Sequence, residues 1–296
     1  MRRWLSWVIR GERPLASHLL LSPSALWLNL CLLAPLLLLF ALAFTERGSY
    51  GTIQWTRFTL DNFRRILDPD FLPVLGRTLG YTLTTTGLCL VLGYPFAYFL
   101  TFYAPGSRSV YIMLLMLPFW TSYLVGIYAW IILLGREGLL NSLLLNSGLV
   151  SEPLVILNTP FAVIMGLTYT YLPFMILPVY GSLEKLPRMY IEAAKDLGAG
   201  PFRAFLKVTL PLSLPGVLAG SILTLIPCMG DFLSAEFLGG PTTFLIGNLI
   251  QTQFGMAQDW PFGASLSAII LLLLGAGLLL HERLGEADEA ELRSLT

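Results

Sequence analysis

Residues 192–211 read EAAKDLGAGPFRAFLKVTLP and form a polar stretch between two long apolar runs. Cationic side chains are concentrated in and beside this stretch, at Lys185, Arg188, Lys195, Arg203 and Lys207. Lys and Arg are enriched in the cytoplasmic loops of membrane proteins. The stretch therefore predicts a cytoplasmic loop between two membrane-spanning helices.

The same stretch predicts a helix–turn–helix, which we call the elbow (residues 183–211). Residues 189–196 are good helix formers and follow Pro187, which suits the start of a helix. Gly198 ends this helix, because glycine tolerates left-handed backbone angles, and the Gly-Pro pair that follows cannot continue the helical hydrogen bonds. A second short helix is expected over 202–208, leading to Leu-Pro at the membrane surface. A bulky side chain at Gly198 is expected to clash with the tight turn.

Composition assigns the rest of the chain to a membrane. Hydrophobic residues make up 55% and charged residues 12%, with a mean hydropathy of +0.72, whereas soluble domains carry about a quarter charged residues. Long charge-free intervals each hold the ~20 apolar residues that a spanning helix needs. They predict six spans, at about 26–44, 78–103, 109–134, 160–181, 209–230 and 261–280. We therefore expect an all-α integral membrane protein with about six transmembrane helices.

Charge asymmetry predicts the orientation. Twelve of the 18 Lys and Arg side chains fall in segments 2–25, 104–108, 182–208 and 281–296, which places both termini in the cytoplasm. The expected organisation is an interfacial N-terminal segment (1–25, with Trp4 and Trp7), a transmembrane domain (26–281) and a cytoplasmic tail (282–296). The long outer segment 45–77 is expected to hold a short helix from Asp61 to Leu67.

The order Glu-Ala-Ala, Gly and Thr-Leu-Pro in the elbow resembles the cytoplasmic EAA loop of binding-protein-dependent ABC importer permeases. The resemblance implies a type I ABC importer permease fold in the bacterial cytoplasmic (inner) membrane. It also implies that the elbow docks on the ATP-hydrolysing subunit through Glu192, Ala193, Ala194, Asp196, Gly198, Pro201, Arg203 and Pro211. A solvated loop that happens to contain two alanines is the alternative.

That resemblance also implies the partners. They are two copies of an ABC ATPase subunit, a second permease subunit, a periplasmic or lipoprotein binding protein and membrane lipid. ATP and magnesium would be bound by the ATPase, so this chain would carry no cofactor and no catalytic residue.

Three further blocks narrow the resemblance. They are LPFWTSYLVGIYAWIILLGREGLLNSLL (117–144), PCMGDFLSAEFLGG (227–240) and IGNLIQTQFGMAQDWPFGASLS (246–267). Together they resemble the first of the two permeases in spermidine/putrescine ABC importers, which implies a polyamine substrate; another small organic solute remains the alternative. One residue departs from the group, since many of its members carry an arginine where this chain has Gly126.

A polyamine path needs carboxylates that offset charge and aromatic faces for cation–π contact. Asp231 and Glu236 are expected near the outer end of the fifth span, where Pro227 and Gly230 favour a break in the helix; the alternative is that both acids face outer water. The aromatic candidates are Trp120, Tyr123, Tyr128 and Trp130 on the third span and Tyr169 and Tyr171 on the fourth. Trp120 and Tyr123 fall on one face of a continuous third span. Trp130 is expected in the aromatic belt at the interface.

Other function classes fit less well. A secondary transporter or channel predicts ionisable residues deep in several spans and an inverted repeat, and neither is evident in the sequence. A membrane-embedded enzyme or a metal site needs converging His, Asp or Cys side chains. Cys31, Cys89 and Cys228 are scattered over three predicted spans and read as packing residues. The zero formal net charge argues against a nucleic-acid partner.

Overall fold

The computed structural model describes residues 14–69, 71–104 and 106–294, with side-chain environments for 22–49, 51–69, 71–104 and 106–279. The elements before residue 147 are α1 (Pro14–Ala43), β1 (Thr45–Arg47), a 3-10 turn (Ser49–Gly51), β2 (Ile53–Phe58), α2 (Asp61–Ile66), α3 (Leu72–Phe102), α4 (Arg108–Trp120), α5 (Tyr123–Leu134) and α6 (Leu139–Asn146). Those after it are α7 (Pro160–Glu184), α8 (Arg188–Asp196), α9 (Pro201–Ala204), a π-helical turn (Phe205–Thr209), α10 (Leu210–Gly230), α11 (Leu233–Leu238), α12 (Ile246–Phe254) and α13 (Trp260–Ser294).

Six helical segments of the described chain are long and apolar enough to cross a membrane. They are Ser22–Ala43, Leu72–Phe102, Tyr123–Asn146, Pro160–Glu184, Pro201–Gly230 and Trp260–Leu279. This confirms the predicted number of spans and the helical class. Residues 1–13, which include Trp4 and Trp7, lie outside the described residues, as do 295 and 296. Within the predicted N-terminal segment and tail, α1 begins at Pro14 and α13 continues to Ser294.

The prediction that the third span is a single helix over 109–134 is wrong. α4 ends at Trp120 and α5 begins at Tyr123, because Thr121 and Ser122 adopt extended backbone angles with ψ of 156° and 137°. Pro118 lies in the last turn of α4, and the hydroxyl of Thr121 donates to the carbonyl oxygen of Pro118 at 2.9 Å. Pro118 has no N–H to donate to the helix, and the Thr121 hydroxyl occupies a carbonyl oxygen that a helical N–H would otherwise bond. Together these two residues end α4.

The chain forms two compact units, a larger one of Ile66–Thr252 with the residues from Leu274 and a smaller one of the residues up to Arg65 with Gln253–Leu273. In the larger unit, α3, α7 and α10 pack together around buried side chains that include Leu100, Leu167, Met175 and Val179.

Glycines permit this packing. A methyl group at Gly216 of α10 would lie 2.4 Å from Cβ of Ser182 and 2.7 Å from the carbonyl oxygen of Pro178 on α7. One at Gly220 would lie 2.9 Å from Sδ of Met175. Small residues of this kind let transmembrane helices approach closely and gain van der Waals contact. The α7–α10 interface therefore depends on the absence of side chains at these two positions.

The smaller unit contains a β-hairpin that the sequence did not predict. β1 and β2 pair antiparallel, and the amide of Asn62 on α2 donates to the carbonyl oxygens of Ala43 and Thr45 at 3.0 and 2.8 Å. Helix α2 spans Asp61–Ile66, which confirms the expected short helix. Arg65 on α2 bonds the buried carboxylate of Asp259 at 2.9 Å and lies 4.0 Å above the ring of Phe262. These contacts fix α2 to the start of α13.

Candidate functional site

The elbow folds as a helix that ends in a left-handed glycine. α8 spans Arg188–Asp196 and begins directly after Pro187, as the sequence predicts. Gly198 has φ +82°, and its N–H donates to the carbonyl oxygen of Lys195 at 2.9 Å. The N–H of Ala199 donates to the carbonyl oxygen of Ala194 at 3.0 Å. This pair of bonds is the Schellman arrangement, which satisfies the last carbonyls of a helix.

Two expectations for the elbow are wrong. Among the described residues, no atom lies within 4 Å of a methyl group placed at Gly198, so a substitution there meets backbone strain and not the expected clash with the turn. The second helix is also not separate, because α9 passes through the π-helical turn into α10. In that turn the N–H of Leu210 donates to the carbonyl oxygen of Phe205, five residues back. The widened turn comes just ahead of Pro211, whose missing N–H could not have continued the normal pattern.

The elbow exposes both polar and apolar side chains on its surface. Of the predicted docking residues, Ala194 is half-buried and the others are exposed: Glu192, Ala193, Asp196, Gly198, Pro201, Arg203 and Pro211. Met189, Leu197 and Phe202 are also exposed, at 65%, 89% and 71%. Sequence reasoning missed these three, although large apolar residues in a polar loop were the available signal. Large apolar side chains left exposed on a polar loop are typical of an interaction surface.

A second cluster surrounds Asp231, which follows the last residue of α10 and is only 7% exposed. Its Oδ2 accepts hydrogen bonds from the hydroxyls of Tyr123, Tyr171 (3.0 Å) and Ser234 (3.1 Å). Its Oδ1 accepts from the backbone N–H of Ser234 at 2.9 Å. Burying a carboxylate is costly unless it is hydrogen-bonded, and these four bonds supply that compensation. Asp231 therefore does not face outer water, and the alternative is wrong for this residue.

All four donors to Asp231 are neutral groups. None of the ion pairs found among the described residues involves this carboxylate. Hydrogen bonds from neutral donors spread the negative charge without cancelling it. An ionised Asp231 would therefore keep its negative charge at the C-terminal end of α10, available to a cationic ligand.

A pocket of about 190 Å³ opens beside this cluster at the break between α4 and α5. Its walls come from the end of α4, one face of α5 and the facing side of α7. The lining includes Phe119, Tyr123, Gly126, Trp130, Tyr169 and Thr170. The rings of Trp130 and Tyr169 meet edge to face with centroids 5.6 Å apart. Trp130, for which the sequence favoured an interfacial belt over a cavity, lines this pocket.

The structure brings together only some of the predicted path residues. Tyr123 and Tyr169 line the pocket, and Tyr123 joins it to Asp231. Trp120 is 70% exposed and does not line the pocket; the helix break separates it from Tyr123, so the expected shared face does not exist. Glu236 is exposed and accepts a hydrogen bond from the amide of Asn248 at 3.0 Å, outside the Asp231 cluster.

Comparison with known proteins gives consistent matches. Residues 89–281 match the family model described as "Binding-protein-dependent transport system inner membrane component". The chain is 42% identical over 257 residues to the spermidine/putrescine transport system permease protein PotB of Escherichia coli (strain K12), covering 87% of this chain and 93% of that protein. It is 40% identical to the protein of the same name from Haemophilus influenzae, covering 87% and 90% of the two chains.

Among solved structures, the chain resembles a bacterial ABC transporter involved in the import of the acidic polysaccharide alginate. The TM-score is 0.67 at 19% identity, and the match covers 96% of this chain and 99% of that one. At this identity the likeness concerns the fold, which is that of an ABC importer permease.

Proposed function

The chain belongs to the family of binding-protein-dependent transport system inner membrane components, and from this membership we propose that it is the permease subunit of an ATP-driven importer of spermidine and putrescine. It is a multi-pass protein of the inner membrane. The observation that carries the substrate assignment is the similarity, along most of both chains, to permeases named for spermidine/putrescine transport. Import of another small organic solute is the alternative that experiment must exclude.

The Asp231 cluster supports a cationic substrate. A polyamine carries several ammonium groups on flexible methylene stems, and its passage through a membrane protein requires compensating negative charge. Asp231 supplies a buried carboxylate without a cationic partner among its hydrogen-bond donors. Aromatic rings beside it, including Trp130 and Tyr169, offer faces that attract ammonium groups.

The elbow supports coupling to a separate ATPase. Its exposed apolar residues, Met189, Leu197 and Phe202, fit a protein groove better than bulk water. We therefore propose that two copies of an ABC ATPase subunit, which bind ATP and magnesium, dock here and on a second permease subunit. In this arrangement the elbow and both termini lie in the cytoplasm, and a periplasmic or lipoprotein binding protein delivers substrate from outside.

The test is uptake of labelled spermidine and putrescine by cells that lack this chain and by the same cells carrying it on a plasmid. We expect the plasmid to restore uptake that depends on cellular ATP and on the binding protein. Membranes from the restored cells should also yield the ATPase and the second permease with this chain. Assembly of the complex without polyamine uptake would contradict the substrate and leave the importer function standing.

A further inference from the structure

The inference concerns three aromatic side chains on α3 and rests on the function proposed above, because it needs an ATPase docked at the elbow. Tyr94, Tyr98 and Phe102 recur every four residues, so they line one side of this helix, and we call them the aromatic ladder. The rings of Tyr98 and Phe102 lie 4.6 Å apart. The ladder occupies the C-terminal part of α3, and the elbow packs against it.

The second arm of the elbow, formed by α9 and the π-helical turn, contacts the ladder through Phe205. Its ring meets that of Tyr94 edge to face with centroids 5.6 Å apart, and that of Tyr98 in the same manner at 5.9 Å. Such pairs attract because the positive edge of one ring faces the negative face of the other. Phe205 is the first residue of the π-helical turn, a departure from α-helical geometry that is common at functional sites.

Tyr94 also binds α10 beyond this turn. Its hydroxyl lies 2.8 Å from Oγ of Ser213, and the Ser213 hydroxyl donates to the carbonyl oxygen of Leu210 at 3.1 Å. Since serine has a single hydroxyl hydrogen, Tyr94 is the donor to Ser213. Tyr94 therefore contacts the continuous helical segment Pro201–Gly230 on both sides of the π-helical turn. The elbow and α10 cannot shift along α3 without disturbing these contacts.

The first arm of the elbow, α8, reaches the third ring of the ladder. Arg188 begins this helix, and its guanidinium carbon lies 6.0 Å from the centroid of the Phe102 ring. This distance is at the limit of cation–π attraction, so the contact is weaker than those of Phe205. The two arms lie on either side of the turn at Gly198. A displacement of the elbow therefore reaches the ladder from both arms.

Helix α3 extends from the ladder to the neighbourhood of Asp231. From Tyr98 back to Thr78 it covers ~30 Å at a rise of 1.5 Å per residue. There Oγ1 of Thr78 accepts a hydrogen bond of 2.9 Å from the N–H of Ile246 at the start of α12. The next residue, Gly247, packs on the backbone of Asp231, since an added methyl group would lie 3.2 Å from the Asp231 carbonyl oxygen. Packed elements thus connect the elbow with the Asp231 cluster.

We propose that Phe205, Tyr94 and Tyr98 are positioning residues that couple the elbow to the transport path. When the docked ATPase moves the elbow, the ring of Phe205 pushes on the ladder, and α3 shifts together with α10. These residues do not touch the substrate. They determine how much of each ATP-driven movement reaches the Asp231 cluster, and therefore how much polyamine is transported per ATP hydrolysed.

The experiment measures labelled putrescine transported per ATP hydrolysed by the complete complex in proteoliposomes. Phe205→Leu keeps an apolar side chain and removes the ring, and we expect the ratio to fall about two- to tenfold, the factor that one edge-to-face ring pair supplies. Tyr98→Leu should lower it similarly from the other side of the contact, whereas Tyr98→Phe keeps the ring and should retain the wild-type ratio. Phe99→Leu is the matched control, because this neighbouring ring on α3 meets Tyr111 of α4, with centroids 5.7 Å apart, and not the elbow.

The yield of assembled complex and its melting temperature are recorded for every variant. A purely structural ladder would lower the melting temperature and leave transport per ATP unchanged in the complexes that assemble. That result for both Phe205→Leu and Tyr98→Leu would overturn the proposal. Failure of both to assemble, while Phe99→Leu assembles, would also overturn it by assigning the ladder to assembly.

The combined Phe205→Leu, Tyr98→Leu variant separates one shared contact from two independent effects. If both rings act through the same contact, the double variant should transport as much per ATP as the worse of the two single variants. Losses that multiply would contradict the shared contact. A wild-type complex that takes up no polyamine would instead contradict the proposed function itself.

Discussion

Replacing Gly198 by alanine tests whether the left-handed turn of the elbow matters for coupling. Gly198 has φ +82°, and no atom of the part of the chain that the structure describes lies within 4 Å of an added methyl group. Its substitution therefore introduces backbone strain alone, worth about 1–2 kcal/mol for an L-residue in this region. Gly200 is the matched control, because it is also free of neighbours but has φ −63° and ψ 163°, which any residue adopts. Gly200→Ala should therefore introduce no left-handed backbone strain.

The strain acts on two hydrogen bonds, those from Gly198 and Ala199 to the last carbonyls of α8, at 2.9 and 3.0 Å. If docking of the ATPase requires this turn, a strain of ~1.4 kcal/mol weakens the apparent affinity by at most about tenfold. Asparagine visits the left-handed region more readily than alanine, so Gly198→Asn should recover part of the loss.

The assay measures binding of the purified ATPase subunit to permease complexes in lipid nanodiscs, together with polyamine transported per ATP hydrolysed. We expect affinity to fall in the order wild type and Gly200→Ala, then Gly198→Asn, then Gly198→Ala. Equal affinity and equal coupling for Gly198→Ala and Gly200→Ala would refute the reasoning that the φ angle of Gly198 positions the elbow.

Three further predictions concern packing, topology and charge. Gly216→Ala forces a methyl group to 2.4 Å from Ser182 Cβ and should destabilise the complex by about 1–3 kcal/mol. Gly181→Ala is the control, because the added methyl group meets no described atom within 4 Å and should leave stability unchanged. Equal melting temperatures for the two variants would contradict the α7–α10 packing. With an impermeant thiol reagent added outside, a cysteine at position 57 should react in intact cells and one at position 195 only after lysis; the reverse pattern would invert the orientation. Asp231→Asn should lower polyamine uptake about ten- to a hundredfold. A carboxylate and an ammonium group ~4 Å apart at an effective dielectric of ~20 attract by ~4 kcal/mol, and the lost hydration of the ammonium group offsets much of this. Unchanged uptake would confine Asp231 to a structural role.

The sequence predicted the membrane spans and α8 because both leave local signals. A span needs ~20 apolar residues without charge, and such intervals can be read directly. The end of α8 is equally local, since Gly198 supplies the left-handed residue that closes the helix. The broken third span left no comparable signal. Prolines are tolerated within transmembrane helices, and α7 contains Pro173 and Pro178 without interruption, so Pro118 alone could not predict a break.

The burial of Asp231 could not be predicted for a different reason. Its tyrosine partners are 60 and 108 residues away in the sequence, and their proximity depends on how α5, α7 and α10 pack. Counting the helical rise placed Asp231 correctly at the end of the fifth span but gave no information on its neighbours. The pocket has the same origin, since Trp130 reads as an ordinary interfacial residue until α5 is seen to begin at Tyr123.

The most direct test of the central claim, ATP-driven polyamine import through this permease, is accumulation of labelled putrescine in proteoliposomes that contain the complete complex. ATP is enclosed inside the proteoliposomes together with inward-facing ATPase subunits, and the binding protein is added to the external solution. The account predicts accumulation against a gradient that requires ATP hydrolysis, is competed by spermidine and is reduced by Asp231→Asn. Accumulation without ATP, or an active complex that accumulates another solute but no polyamine, would contradict it.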